Sequence, residues 1–541
     1  LKITRRQAVS TLALAAAAPT TAAAAEIDSN VVKRHDEDVA RLIARQITDP
    51  ASRGYGAQPD AQLLYSAGGA AGLLEAYFAA FLCPQSKYHN DGQLVDRMKL
   101  AARFLEKAQN DQGYIDLLST NFSSPPDTGF CVHPVGTAAC LAARQNAREL
   151  VAIAEPFLRK AGAGLVTGGI HTPNHRWVVS QALAQINEVF PHADYVRRIG
   201  QWLAEGIDLD PDGQYTERST SVYNTVSDRA FLVMAIKLKR PELFEPVRRN
   251  LDAMLYLLHA DGEVVTEISR RQDRNARADM SGYWLPLRYL AVHDGNGQFA
   301  TVERRLADRA RLSWLMEYPE MNGALPALAP LPEDFERELH SLDAARFRRG
   351  PVSATLLSGD SIFFAFRRGN AVVNAVRFAT SFFGKGQFIP AKLEKQDGAY
   401  VLRQDLEAPY YQPLARKVST DQWGAARAQR RQTQICRLRQ SATITEIAGG
   451  FRLRLEAKGT PGVPVAVEIG LRSGGKLAGA ADEGVLASGY ASYSVGEDRV
   501  RFGPGIGEHR YTQVRGAEPK LPGESVYLTG FTPFDHTLEL R

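Results

Sequence analysis

The sequence predicts an α+β multidomain protein: an N-terminal (α/α) toroid of helical hairpins, followed by an antiparallel β-sandwich. Three observations predict it. Apolar residues recur at helical spacing through the first half. A turn motif recurs about every 50 residues between those helices. Beyond a proline-rich connector, the pattern changes to short alternating runs rich in β-branched and aromatic residues.

Residues 1–25 read as a leader, not as fold. Thr4-Arg5-Arg6-Gln7 is a twin-arginine n-region, followed by an Ala/Leu-rich stretch from Ala8 to Ala18 and by Ala22–Ala25. The apolar stretch is too short to span a bilayer, and the arginine pair predicts export of a folded protein to the periplasm or beyond. No later run is long and apolar enough for stable membrane insertion.

The toroid is expected over 26–325. Segments 57–83, 92–110, 134–160, 175–190, 194–206, 224–238 and 241–259 read as helices, continuing through about 282–316; Leu100, Ala101, Phe104, Leu105 and Ala108 show the spacing. Between them recur Asp111-Gln112-Gly113-Tyr114-Ile115-Asp116, Asp212-Gly213-Gln214-Tyr215-Thr216-Glu217 and Asp261-Gly262-Glu263-Val264-Val265-Thr266-Glu267. Gly113 and Gly213 are 100 apart, Gly213 and Gly262 are 49 apart, and Gly164 stands midway between the first two. A period of two helices and two turns marks a repeat architecture. Hairpins in register bring the turns to one face, a bowl lined by Tyr114, Asp116, His171, Tyr215, Glu217 and Glu267. A linker is expected at 326–350, around Gly323-Ala324-Leu325-Pro326 and Leu331-Pro332. The β-sandwich is expected over 351–541, from runs such as Ala371–Phe378, Phe451–Glu456 and Val463–Leu471.

Composition narrows the function. With 44% hydrophobic and 23% charged residues, the chain is not a disordered or low-complexity protein. The net charge is +5, of which Lys2, Arg5 and Arg6 belong to the leader, so nothing argues for a nucleic-acid surface. Cys83, Cys131, Cys140 and Cys436 match no zinc-site spacing and predict buried thiols or one bridge at most. No phosphate-cradling loop, H-E-x-x-H or G-x-S-x-G occurs. No metal or other cofactor is expected, and nothing in the sequence sets the oligomeric state.

Three stretches carry chemistry. In Gly168-Gly169-Ile170-His171-Thr172-Pro173-Asn174-His175-Arg176-Trp177, Pro173 disfavours helix before it and Asn174 is a good N-cap. His175 then sits in the first turn, where the helix dipole disfavours imidazolium, and a neutral ring accepts a proton. One repeat on, Glu217, Ser219, Tyr223 and Asn224 open the next helix. A third, basic stretch with Arg270, Arg271 and Arg274 suits an acidic ligand. His171, Arg176, Trp177, Tyr215, Glu217, Arg270 and Arg271 are the expected substrate contacts. For Trp177 the competing reading is core, for Tyr223 packing, and Tyr215 is a rival acid.

The order Asn174-His175, Asp212-Gly213, Glu217, Ser219, Tyr223 resembles polysaccharide lyases of the heparinase II/III and alginate-lyase type. The resemblance spans nearly the whole chain after the leader. It implies an incomplete toroid followed by antiparallel sheets, and an acidic oligo- or polysaccharide as partner. Residue by residue it implies Asn174 as carboxylate neutraliser and His175 with Tyr223 as proton-exchanging pair. The zinc-ligand set and the β-domain histidine of some relatives have no clear counterpart; His509 and His536 stand alone. The chemistry would be β-elimination on a uronate: neutralising the carboxylate acidifies the C5 proton, a base removes it, and an acid protonates the departing oxygen. Two other readings remain open. A toroidal hydrolase of glucuronidase type would use paired carboxylates, from among Glu217, Glu267, Asp116 and Asp212. A glycan-binding protein without turnover would need neither.

Overall fold

The computed structural model describes residues 26–479 and 484–541; the expected leader lies outside them. In the first half two kinds of helix alternate. The elements are α1 (Ser29–Arg45), α2 (Ala67–Leu82), α3 (Gly92–Ala108), the short strands β1 (Ile115–Leu117) and β2 (Asn121–Ser124), α4 (Pro125–Arg144), α5 (Arg148–Thr167), α6 (His175–Val189), α7 (Ala193–Ala204), α8 (Tyr223–Lys237), α9 (Phe244–Leu255), α10 (Trp284–Asp294), α11 (Gly297–Arg304) and α12 (Leu312–Glu317). Helix α6 is buried without a break from His175 to Ile186, whereas α7 buries only Tyr195 and Ile199. A helix buried all round belongs inside, and one with a single buried face belongs outside. So α2, α4, α6, α8 and α10 form the inner wall, each paired with the outer helix that follows it. The ring is incomplete: α12 leans on α2 and α4, and α1 lies outside α2.

The turns between outer and inner helices repeat one hydrogen-bond pattern. The backbone N–H groups of Asp60, Asn110, Asp210 and His259 donate to the carbonyls of Leu64, Tyr114, Gln214 and Glu263. Gly113, Gly213 and Gly262 hold φ of +88°, +79° and +87°, the left-handed region glycine enters at no steric cost. In the first copy Leu63 takes that place at φ +62°. This copy has no glycine at that position, which is why 57–66 read as helix. The expected midpoint, Gly164, is instead inside α5. The single helix expected at 134–160 is two, broken where Asn146 adopts φ +57°.

The β half starts earlier than the expected linker allows. Strands β3 (Asp334–Leu339) and β4 (Ala344–Arg349) lie within 326–350. Their charged Glu-Arg-Glu and Arg-Phe-Arg-Arg runs hid the alternation. After them come β5 (Val352–Leu357), β6 (Phe364–Arg368), β7 (Ala371–Thr380), β8 (Leu393–Gln396), β9 (Ala399–Tyr411), α13 (Trp423–Ala428), β10 (Gln432–Ile447), β11 (Gly450–Lys458), β12 (Pro464–Leu471), β13 (Lys476–Ala478), β14 (Ala491–Val495), β15 (Asp498–Gly503), β16 (Glu524–Phe531) and β17 (Phe534–Leu540). They form a seven-stranded sheet, β16-β12-β7-β6-β5-β4-β3, and an eight-stranded one, β13-β14-β15-β17-β11-β10-β9-β8, with antiparallel neighbours. Phe347, Ala354, Phe366, Leu453 and Leu538 fill the layer between the sheets.

The seven-stranded sheet is covered on both faces. Its other face carries Arg346, Arg348, Ser353 and Arg367, buried polar residues that meet the toroid. Ser353 Oγ lies 2.8 Å from His259 Nδ1, and Arg367 donates to Asp261 and, at 2.8 Å, to Glu263. Arg472 adds a two-pronged pair to Glu263. The turn between β3 and β4 also docks on the toroid: Asp212 accepts from the Ser341 backbone N–H, and Arg218 donates to the Ser341 carbonyl.

Cys83, Cys131 and Cys140 are buried free thiols and Cys436 is half-buried and free. Burial pushes Cys131 and Cys140 up to about 12, so both stay protonated. Among the described residues, no helix is long and apolar enough to cross a membrane.

Candidate active site

The turns place the loops that precede α4, α6, α8 and α10 at the N-terminal ends of the inner helices. Loop 168–174 opens α6 and carries His171, Asn174 and then His175. Asn174 does not cap the helix through its side chain. Its Oδ1 accepts from Thr172 Oγ1 at 3.0 Å, and its Nδ2 is buried with no partner. The helix start is held from the next repeat instead: the Asn174 backbone N–H donates to Glu217 Oε1 at 2.9 Å.

His175 is buried, and its Nδ1 has no partner. Its ring meets the exposed His171 ring edge-on at 4.7 Å and Phe130 at 6.3 Å. Burial first, then His171 and Arg271, lower its pKa to about 4, against the pull of Asp127. The ring is therefore neutral at pH 7.

Glu217 joins this loop to the third one. Its Oε2 lies 3.6 Å from Arg271 Nη1 and makes no hydrogen bond. Burial raises its pKa, opposed by the Asn174 backbone bond, Arg271 and His171. The Arg271 guanidinium lies 4.9 Å from the centre of the Tyr223 ring. Gln272 Nε2 donates to Tyr223 Oη at 2.9 Å, which leaves the phenolic proton free to be given away. A contiguous chain thus runs from His175 and Asn174 through Glu217 and Arg271 to Tyr223.

The loop before α8 is fixed by Asp273. This buried carboxylate accepts from Ser219 Oγ, Ser221 N and Oγ, and Ser269 Oγ at 3.0–3.1 Å. Gln272 and Asp273 were not singled out in the sequence. Their position next to the basic run was the available signal, but their roles depend on contacts 49–54 residues away.

Other expected contacts lie elsewhere. Trp177 is fully buried, packs on Phe231, and donates from Nε1 to Asp208 at 2.9 Å, so it is core and not a sugar platform. Tyr215 is buried and donates to Asp228 at 2.9 Å, and burial raises the pKa of both groups. It cannot serve as a rival acid in an open bowl. Arg176 turns to Asp208, Glu205 and the Gly206 carbonyl, a structural clamp. Arg270 is exposed, with its backbone N–H tied to the Arg218 carbonyl at 2.7 Å. Arg274 pairs with Asp360 of the β half. Tyr114 donates to the Gly164 carbonyl and Asp116 accepts from the Ser123 backbone. Glu267 sits 3.8 Å from His259 Nε2, at the contact between the halves.

Among the described residues, no group of three or more His, Cys, Asp or Glu is placed to hold a metal ion. His340, in the β3–β4 turn, is exposed and sits one residue from the Ser341 contact with the Asp212–Arg218 loop.

A helical toroid followed by two antiparallel sheets is the architecture of several solved polysaccharide lyases, and this chain has that fold. The chondroitin AC lyase of Streptomyces coelicolor A3, solved with chondroitin sulphate, superposes with a TM-score of 0.53 at 13% identity, over 95% of this chain and 79% of that one. Heparinase III gives 0.51 at 11% identity, over 97% and 85%. A Paenibacillus xanthan lyase gives 0.53 at 10% identity, over 95% of this chain but 57% of its own. No protein-family profile and no curated protein sequence matches.

Proposed function

We propose that the protein is a polysaccharide lyase that cleaves a uronic-acid-containing glycan by β-elimination. One observation carries this reading. Two buried polar groups, Asn174 Nδ2 and His175 Nδ1, stand without partners at the start of an inner helix, near Arg271, whose guanidinium lies over the Tyr223 ring. Buried polar groups are normally satisfied, and an unsatisfied pair at a helix N-terminus fits a ligand carrying a carboxylate and a removable proton.

In this reading Asn174 Nδ2 donates to the uronate carboxylate and Arg271 supplies positive charge, which together stabilise the enolate-like intermediate. Neutral His175 takes the C5 proton. The substrate carboxylate beside the ring raises its basicity above that of the empty site. Tyr223, whose oxygen already accepts from Gln272, gives its proton to the departing C4 oxygen. His171, exposed and edge-on to the His175 ring, is the residue assigned to contact the sugar in this reading. Three lyases of acidic glycans with the same fold add support for this substrate class. The twin-arginine leader supports a periplasmic or secreted location, which fractionation of the producing cell would test.

The test is ultraviolet absorbance of the unsaturated uronate product over a panel of uronate glycans, with His175→Ala as control. Absorbance that rises with the wild type and not with the variant is the expected result. Release of sugar without absorbance would sink elimination and move the chemistry to Glu217, whose carboxyl burial already favours in its protonated form. The glucuronidase reading is weakened by Glu267, which belongs to the contact between the halves.

A further inference from the structure

A polar cavity lies among the inner helices, reaching Phe130 on the side of His175. It has a volume of about 300 Å³ and is walled by the inner helices α2, α4, α6 and α8 and by α12. It shares Glu75, Arg229, Arg311 and Trp314 with a larger cleft of about 1220 Å³, which opens between α1, α2 and residues 308–314. Arg229 is six residues beyond Tyr223 on α8, roughly 9 Å along the helix axis.

The charges here are unbalanced. Arg229 Nε is buried without a partner, and Nη2 reaches only His133 Nδ1, at 3.4 Å. His133 Nε2 is committed to the Val178 carbonyl at 3.0 Å, and burial lowers the ring's pKa to about 3, so it is a neutral acceptor. Neither Arg229 nor Arg311 forms an ion pair with a carboxylate among the described residues; Arg311 lies over Trp314 at 4.5 Å. The nearby acid, Glu75, accepts from Ser313 Oγ at 2.6 Å. Burial and repulsion from Arg311, against the pull of Glu75 and Tyr318, push Arg229 down to about 10. Arg229 is half-buried, and a guanidinium whose Nε is buried without a partner carries a cost that an anion or fixed dipoles would offset.

We infer that this cavity is an oxyanion-binding site separate from the proposed active site, taking a carboxylate or sulfate group between Arg229 and Arg311, with the larger cleft as its entrance. Its volume is at the lower bound of small-molecule sites, room for one sugar-acid ring or a free inorganic ion. Two guanidiniums lining one cavity suit an anionic ligand, and Trp314, stacked on Trp284, holds Arg311 over its ring. Nothing in this inference depends on the lyase reading.

Isothermal titration of the full chain with sodium sulfate, sodium glucuronate and glucose tests it, with His175→Ala, Arg229→Gln and Arg311→Gln alongside. The expected result is saturable binding of one or both anions and none of glucose. The affinity should be kept in His175→Ala and weakened about tenfold or more in Arg229→Gln. Glucuronate binding assigns the site to a sugar acid; sulfate binding alone assigns it to a free ion. Should Arg229→Gln fail to fold, Arg311→Gln, on the rim, reads the same loss. Equal affinity in the arginine variants, loss of binding in His175→Ala, or no saturable binding at all would overturn the proposal.

Discussion

The loops before α6 and α8 occupy equivalent places in successive repeats, yet the serines of the second are satisfied where two side chains of the first are left open. Of the second, Glu217 Oε2 shares that openness. Before α8, Ser219, Ser221 and Ser269 converge on one buried carboxylate, Asp273, and Thr220 Oγ1 donates to the Val265 carbonyl. Before α6, Asn174 Nδ2 and His175 Nδ1 are buried and left open. Satisfied groups hold a loop, whereas groups kept unsatisfied inside a fold carry a cost that a ligand offsets. The two loops are also linked, since Glu217 of the second holds the start of the first. The loop before α8 thus acts as the frame for the loop before α6.

The sharpest way to break this contrast is to remove His175. His175→Ala should lower kcat/KM for a uronate glycan by about 10²–10⁴-fold while leaving the unfolding midpoint in denaturant close to the wild-type value. A variant that loses stability and keeps its rate would make His175 a packing residue like its neighbours on α6. Trp177→Ala tests those neighbours. Two residues along the same helix, it should cost roughly 3–5 kcal/mol of stability, read from denaturant unfolding. KM should not change in the molecules that remain folded. A raised KM at unchanged stability would return Trp177 to the sugar.

Asp273→Ala tests the frame. It leaves three hydroxyls and a backbone N–H without their acceptor, and should cost about 1–3 kcal/mol. Because it holds Tyr223's loop, it should also lower kcat more than KM changes; a stability loss with normal kcat would separate frame from site.

The smallest expected effect is on pH. His175 titrates at about 4 when folded and near 6.5 when unfolded. Between those values the unfolded chain binds a proton that the folded chain does not. This contribution is therefore neutral above pH 6.5 and destabilises progressively as pH falls towards 4. His175→Gln should flatten the acid side of the stability curve over that window. In the free enzyme the acid limb of kcat/KM should lie near 4, not 6.5. A limb at 6.5 would mean that the ring is solvated.

Much of this contrast was legible in the sequence, and the reason is local. Pro173 before Asn174 and the Asp-Gly turns fix where α6 and α8 begin, so His175 and Tyr223 open their helices as expected. The repeat was legible wherever glycine marked the left-handed position, and it was missed at Leu63, where another residue adopts it. What sequence could not supply was direction. Arg176 and Trp177 follow the site in the chain, but the helix turns them towards Asp208, away from His171. Their chemistry is that of sugar contacts, and only the 100° step per residue decides otherwise. Strands β3 and β4 were hidden for a related reason. A sheet covered on both faces lacks a polar outer side, and here its second covered face is lined with arginines in place of aliphatic residues.

The docked turn between β3 and β4 bears on how such a protein can change over evolutionary time. Ser341 holds the loop that contains Glu217 through two backbone groups, so it does so whatever side chain stands there. Leu339 and Leu342 beside it are buried in the core, whereas the His340 side chain projects outward and is free to vary. The side chain at that tip can vary without disturbing the contact, but the two halves can be inherited only together.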